Sequence, residues 1–137
     1  AIDRIKAIHS RIPKTHLVMH GSSAVPQDWL AIINEFGGEI PETYGVPVEQ
    51  VAEGIKYGVR KVNIDTDLRL ASTGSIRQFL AQNPTEFDPR KYFQASLVAM
   101  RDICIARYEA FGTAGNASKL KPLSLAKVQE AYSQGHY

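Results

Sequence analysis

The sequence predicts an α/β fold in which two short strands alternate with helices. Residues 17–19 form an uninterrupted apolar run between Pro13 and Gly21, which predicts a strand buried on both faces. Residues 59–64 are predicted to form a second strand, and segments with apolar residues at helical spacing lie between and after the two strands. Strands separated by helices pair in parallel through right-handed crossovers. We therefore expect a small parallel sheet covered by helices.

The helices are predicted from apolar spacing and from residues that begin or end helices. The first covers residues 2–9, and the next two begin at Pro26 and Pro47. A fourth is predicted over 68–81, where Asn83-Pro84 ends it.

The longest predicted helix covers residues 91–111 and ends at Gly112. Its apolar residues predict a buried stripe formed by Leu97, Met100, Cys104, Tyr108 and Phe111. Residues 113–123 are expected to form a loop, after which Ser124 caps a short terminal helix.

Two strand–helix units do not make a stable sheet alone, but they match the last two units of a (β/α)8 TIM barrel. That fold typically needs about 250 residues, whereas the chain has 137. We therefore predict that 1–137 is the C-terminal part of one barrel domain. In this interpretation 1–82 are its last βα units and 83–137 are a helical extension. The N-terminal part of the same barrel would be a separate or missing segment.

Composition narrows the function classes. Lys and Arg number 16 and Asp and Glu 14, and this near balance argues against a nucleic-acid-binding surface. No apolar run approaches the roughly eighteen residues needed to span a membrane. A lone cysteine, Cys104, excludes an internal disulfide and predicts a cytoplasmic protein in which this thiol has a packing role.

His20 lies where the first strand opens onto a small, hydroxyl-rich loop, the end at which barrel enzymes place catalytic groups. His16 shares its strand face but lies roughly 13 Å away, too far to bind the same ion. The spacing leaves two interpretations of His20, a hydrogen-bonded core residue or a metal ligand. A catalytic zinc needs about three protein ligands, so the others would come from elsewhere.

Two loops carry the remaining chemistry. Gly21-Ser22-Ser23 offers backbone amides and two hydroxyls that can hold a phosphate, although an ordinary tight turn explains it equally well. Residues 63–67 place Asn63 and Asp65 on one face at the end of an apolar strand, where they are expected to face a polar ligand. We also expect at least one of Asp65, Thr66 and Asp67 to cap the following helix.

Other basic residues carry weaker signals. A solvated surface is expected for Arg69, Arg77, Lys119 and Lys121. Arg90 precedes a long helix, and an exposed salt bridge is the simplest explanation for it.

The motif His20-Gly21-Ser22-Ser23, followed by residues 58–67, resembles the C-terminal part of class II fructose-1,6-bisphosphate aldolases. Residues 42–47 (Glu-Thr-Tyr-Gly-Val-Pro) and 112–119 resemble the bacterial Calvin-cycle variety. The resemblance covers essentially the whole chain. It implies a zinc-dependent, reversible aldol cleavage of fructose 1,6-bisphosphate to dihydroxyacetone phosphate and glyceraldehyde 3-phosphate, with zinc acting as a Lewis acid.

The resemblance also implies roles for individual residues. His20 would be one of three zinc histidines, although other divalent metals are open. Gly21 and Ser23 would bind the dihydroxyacetone-phosphate phosphate and help to hold a monovalent cation, K⁺ or Na⁺. The remaining substrate-binding positions would be Ser22, Asn63 at the reacting end of the substrate, Ile64, Asp65 and Thr66 in the phosphate cradle, and Arg90.

Arg90 matches an arginine that reaches into a neighbouring subunit, which implies a homodimer or homotetramer. The other two zinc histidines, the catalytic aspartate and a mobile-loop glutamate are expected upstream of Ala1, so the chain alone would be inactive. Three rivals stay open: a tagatose-1,6-bisphosphate aldolase, a non-catalytic phosphate-binding half-barrel or assembly module, and a metal-free phosphate-binding barrel enzyme.

Overall fold

A computed structural model describes residues 2–135 and confirms the α/β class. Its two strands, β1 (Leu17–Met19) and β2 (Val59–Val62), pair in parallel, with Val18 opposite Lys61 and Met19 opposite Val62. β2 is shorter than the predicted 59–64 because β1 ends at Met19. The last backbone hydrogen bond between the two strand segments is donated by the Asn63 N–H to the Met19 carbonyl at 3.0 Å.

Each predicted helix is present, with small shifts at its ends. α4 begins two residues earlier than predicted, and the Ser124 hydroxyl caps the terminal helix by accepting from the Lys127 N–H. A short 3₁₀ turn covers Ala117–Lys119. The helices are α1 (Ile2–Arg11), α2 (Gln27–Glu35), α3 (Val48–Ile55), α4 (Thr66–Gln82), α5 (Pro89–Ala110) and α6 (Leu125–Ser133).

The core lies where α4 packs between α2 and α5. Its centre is formed by apolar side chains of the loop after β1 and of α2 and α4, with two partly buried residues against them: Val25, Leu30, Ile33 and Leu70, then Trp29 and Ile40. α2 and α4 approach closely at Gly74, where a Cβ would lie 2.8 Å from the Trp29 ring. This packing fixes the start of α4 against the loop that follows β1.

The predicted buried stripe of α5 is wrong in part. Leu97 and Tyr108 are both 58% exposed, whereas the small residues Ser96 and Ala99 are buried. α5 packs on α4 through this small-residue face, where the Ser96 hydroxyl donates to the Ser72 hydroxyl at 2.8 Å. Apolar periodicity pointed to the wrong face because the buried residues of α5 are small ones, which that periodicity does not count. Met100, Cys104 and Phe111 are half-buried.

The prediction that β1 is buried on both faces is also wrong for this chain. Val18 is 49% exposed, and His16 and His20 on the same face are exposed as well. Within residues 2–135 the sheet has only these two strands, so nothing covers this face of β1. None of the helices in that range is long and apolar enough to cross a membrane.

Candidate functional site

The carboxyl ends of β1 and β2 bring His20 and Asn63 into contact. The Asn63 side-chain amide nitrogen lies 2.8 Å from His20 Nδ1. Lys61 Nζ donates to Asn63 Oδ1, which directs the amide nitrogen toward the imidazole and makes Nδ1 the acceptor. The exposed His20 ring is therefore held in one orientation by a neighbour from the other strand.

Ser22 links the carboxyl ends of β1 and β2 through its hydroxyl group. It is only 1% exposed, and its hydroxyl lies 3.0 Å from the Met19 carbonyl and 3.3 Å from the Asn63 carbonyl. Next to it, Gly21 is exposed at φ +63°, with nothing within 4 Å of the place a Cβ would occupy. The loop is thus anchored at Ser22 and open to solvent at Gly21.

Ser23 caps α4 from another part of the chain. Its hydroxyl oxygen accepts from the backbone N–H groups of Asp65 and Thr66, both at 3.2 Å. The prediction that a side chain among 65–67 caps this helix is wrong. Asp65 stands at the N-cap position without a capping bond, and its carboxylate instead accepts from Arg69 Nε at 3.0 Å.

We call His20, Ser22, Ser23, Asn63, Asp65 and Thr66 the strand-end cluster. The structure brings these predicted residues together, although their residue numbers span more than forty positions. Ile64 lies beside the cluster and lines an apolar cavity of about 430 Å³ on one flank of β2, together with Val59, Leu68 and Ile103. The cluster itself is polar and faces solvent.

Sequence reasoning missed the role of Asp67. Its carboxylate is fully buried, accepts from the Val25 N–H at 3.0 Å and binds Arg107 of α5 at 2.9 Å. No signal in the sequence singles out Arg107, which is one of several charged residues in α5. Nothing local connects that arginine with an aspartate forty residues earlier.

A second missed contact comes from the segment between α2 and α3. The Val46 N–H donates to the Ser23 carbonyl at 3.0 Å. At Gly45 a Cβ would lie 2.0 Å from the same carbonyl oxygen, so only glycine fits there without moving the loop. Nearby, a hydrogen bond to Glu42 raises the pKa of the exposed Tyr44.

Arg90 is not part of the strand-end cluster. It is exposed and forms a 2.6 Å ion pair with Asp88, whose pKa this arginine lowers. Arg107 of the same helix contacts Asp67 beside the cluster. Seventeen residues of α-helix separate the two arginines, about 25 Å along the axis. Arg69, Arg77, Lys119 and Lys121 are exposed, as predicted.

The strand-end cluster offers one metal-binding imidazole. Among residues 2–135 no group of three or more His, Cys, Asp or Glu side chains is placed to hold a metal ion. In this arrangement Asn63 occupies the Nδ1 lone pair and leaves the proton on Nε2, so His20 can act as one ligand where the metal replaces the Asn63 contact at Nδ1, or where the amide turns over and its oxygen accepts from Nδ1–H. His20 alone does not make a complete site, since a catalytic zinc takes about three protein ligands.

These features define a site at the carboxyl ends of parallel strands, with a hydroxyl on a helix N-terminus beside an exposed imidazole. The family model described as "Fructose-bisphosphate aldolase class-II" matches residues 1–116. The chain therefore belongs to the class II fructose-bisphosphate aldolase family, a family of lyases, as the motifs predicted.

Relatives at high identity agree with this assignment. Over 135 residues the chain is 78% identical to a fructose-bisphosphate aldolase of Pseudomonas aeruginosa. It is 61% identical to one of Nostoc sp. and 58% identical to a fructose-bisphosphate aldolase class 2 of Synechocystis sp.. Each match covers 98% of this chain but only 38% of the relative. The chain thus spans less than two-fifths of the length of these relatives.

Proposed function

We propose that this chain is the C-terminal part of a class II aldolase that reversibly cleaves fructose 1,6-bisphosphate to dihydroxyacetone phosphate and glyceraldehyde 3-phosphate. The observation that carries the proposal is the strand-end cluster. It places a hydroxyl-capped helix N-terminus and an exposed imidazole on adjacent strands. The reaction is inferred from the family. The cluster contains groups that can bind one substrate phosphate and an imidazole that can bind the metal.

The phosphate of dihydroxyacetone phosphate would bind at the start of α4. Both lone pairs of the Ser23 hydroxyl accept from backbone N–H groups, so its own proton is left to donate to a phosphate oxygen. The N-terminus of α4 adds a favourable dipole. Gly21 adds an open backbone approach. These features support Gly21, Ser23, Asp65 and Thr66 as the cradle, with Ser22 and Ile64 behind it.

His20 would supply one ligand of the catalytic metal. When bound, zinc supplies Lewis-acid polarisation of the substrate carbonyl. Asn63 orients the imidazole and lies beside the place where the reacting end of the substrate would bind. Gly21 and Ser23 remain the candidates for a monovalent cation. The lone, half-buried Cys104 supports a reducing, cytoplasmic setting.

The rest of the barrel would pair with the free edges of this two-stranded sheet. A parallel pair without covering layers is uncommon, because parallel sheets are normally buried on both faces. Val18 is half exposed, and the 430 Å³ cavity beside β2 is lined mainly by apolar side chains. Upstream polypeptide of the same barrel is the occupant we propose for both surfaces. Residues 83–137 would remain the helical extension.

A fusion tests this proposal directly. The upstream part of the Pseudomonas aeruginosa relative would be joined to this chain to give the fused protein. We expect zinc binding and cleavage of fructose 1,6-bisphosphate by the fused protein, and no cleavage by the 137-residue chain alone. A zinc-loaded, folded fusion that cleaves tagatose 1,6-bisphosphate faster would support the sister enzyme. Phosphate binding without any cleavage would support a non-catalytic module. Activity that persists in the presence of chelators would support a metal-free enzyme.

Ser23→Ala in the fused protein tests the cradle. The substitution removes the acceptor of two N–H groups and the proton offered to phosphate, so we expect the KM for the bisphosphate to rise by about tenfold or more. Ser23→Thr keeps the hydroxyl and should retain most of the affinity. Ser10→Ala, which removes an exposed hydroxyl from α1, is the matched control. Equal KM values for Ser23→Ala and the control would contradict the cradle.

A further inference from the structure

Asp67 is fully buried although it carries a carboxylate. One oxygen accepts from the Val25 N–H at 3.0 Å, and the other accepts from Arg107 Nη2 at 2.9 Å and Nε at 3.3 Å. Burial of a carboxylate is costly unless it is paired and hydrogen-bonded. Here both conditions are met, and the pairing joins α4, α5 and the loop after β1.

The group that Asp67 holds is in an unusual conformation. Val25 has φ +55°, and it is the only non-glycine residue with positive φ among residues 2–135. A β-branched residue is strained in that region and keeps it only where its surroundings hold it. Two contacts do so: the Val25 side chain is buried in the core cluster, and its N–H is bound by Asp67.

This strained residue sets the direction of the phosphate-binding loop. Val25 lies two residues after Ser23, whose carbonyl is held on its other side by the Val46 N–H. The hydroxyl of Ser23 must stay within hydrogen-bond distance of the first turn of α4. Asp67 lies in that same turn, so one turn of helix holds the loop at Ser23 and again at Val25.

We propose that Asp67 and Arg107 are positioning residues that keep the phosphate cradle assembled before substrate arrives. Asp67 does so by holding the Val25 N–H, and Arg107 by neutralising and orienting the buried carboxylate. Neither side chain contacts the substrate. The inference rests on the proposed function, because it assigns the pair to the same phosphate site. It also gives the helical extension a part in that site, since Arg107 comes from α5.

The test uses the fused protein and compares three variants. Asp67→Ala removes both contacts, Asp67→Asn keeps an oxygen for Val25 but loses the charge, and Arg107→Met keeps the carboxylate without its partner. For Asp67→Ala we expect the KM for the bisphosphate and the inhibition constant of inorganic phosphate to rise together by about tenfold, a 1.4 kcal/mol change. kcat and zinc content should stay near wild type. Asp67→Asn should show a smaller rise of about threefold, whereas Arg107→Met, which leaves a buried carboxylate unpaired, should raise both constants about as much as Asp67→Ala and lower the melting temperature further.

Ser96→Ala is the matched control, because it removes a different buried bond between α4 and α5. It should lower the melting temperature without changing the phosphate inhibition constant. If Asp67→Ala or Arg107→Met does not fold, Asp67→Asn decides the question. A lower melting temperature with unchanged phosphate inhibition in every variant that folds would overturn the positioning role. If the wild-type fused protein bound no phosphate, the proposed function would fail first and this inference with it.

Discussion

The two regions predicted to touch substrate are built in opposite ways. The strand-end cluster and its loop are fixed by hydrogen bonds between distant parts of the chain, including those of Ser22 to the Asn63 carbonyl and of Asp67 to the Val25 N–H. The segment around Arg90 is exposed and held only by neighbours in sequence, chiefly Asp88. The difference teaches which groups this chain preorganises by itself. The groups proposed to bind phosphate and metal are fixed by contacts within this chain, whereas Arg90 is exposed and paired with Asp88, two residues away.

Among the predictions, removing His20 from the strand-end cluster should have the largest effect on activity. In the fused protein, His20→Ala removes one of about three zinc ligands, so we expect loss of stoichiometric zinc and a loss of activity of at least about a hundredfold. His16→Ala is the matched control, because His16 is exposed on the same strand face but lies at the other end of β1. The measurements are metal content and kcat/KM. Full zinc occupancy in His20→Ala would show that His20 is not a zinc ligand and that the metal does not bind at the strand-end cluster.

The family resemblance implies that Arg90 serves a site on another subunit, and its exposed side chain lies outside the strand-end cluster. Arg90→Ala should lower kcat/KM for the bisphosphate by about tenfold or more, because an arginine–phosphate contact is lost. It should leave the inhibition constant of inorganic phosphate at the strand-end cluster unchanged. Steady-state kinetics and phosphate inhibition of the fused protein measure both.

Mixed subunits decide whose site Arg90 completes. His20→Ala and Arg90→Ala proteins would be unfolded and refolded together, then assayed against each protein refolded alone. In a two-fold dimer that shares Arg90 between subunits, half of the dimers are hybrids with one intact site, so about a quarter of the sites recover. No recovery in a mixture shown to contain hybrids would place Arg90 at a site of its own chain.

Gly45 tests whether the strand-end cluster is as rigid as its contacts imply. Gly45→Ala places a methyl group where the Ser23 carbonyl now lies, so the loop must shift. We expect the KM for the bisphosphate to rise several-fold and the melting temperature to fall, which kinetics and thermal unfolding of the fused protein measure. Thr43→Ala, in the same exposed segment, should change neither. An unchanged KM in Gly45→Ala would show that the loop tolerates displacement.

Local chemistry explains why most of the fold could be predicted from the sequence. Pro26 and Pro47 stand directly before α2 and α3, and Gly112 follows α5, so proline and glycine mark the helix ends. The buried face of α5 could not be predicted in the same way. Its buried residues are Ser96 and Ala99, which apolar periodicity ignores.

The residues of the candidate site divide in the same way, into those that local sequence predicts and those that depend on distant contacts. His20, Ser23 and Asn63 stand at strand ends, where local pattern and barrel geometry both predict function. The Asp67–Arg107 pair and the Gly45 contact depend on which distant segments meet, and no periodicity in one sequence reports that. The same limit explains the helix cap. Short polar residues before a helix predict a local cap, yet the group that caps α4 is Ser23, forty residues upstream.

The smallest effect is expected from a change of pH at the exposed segment around Arg90. Arg90 lowers the pKa of Asp88, so the pair adds stability above the ordinary aspartate pKa and loses it as pH falls through the lowered value. Asp88→Asn keeps a good N-cap for α5 but removes the charge. The melting temperature of the fused protein should therefore exceed that of Asp88→Asn slightly at pH 7, and the difference should vanish in acid. Glu39→Gln, at an exposed acid for which the structure shows no ion pair, should give no such difference at either pH. A difference between wild type and Asp88→Asn that persisted in acid in which the Asp88 carboxyl is protonated would mean that the cap, and not the ion pair, holds this segment.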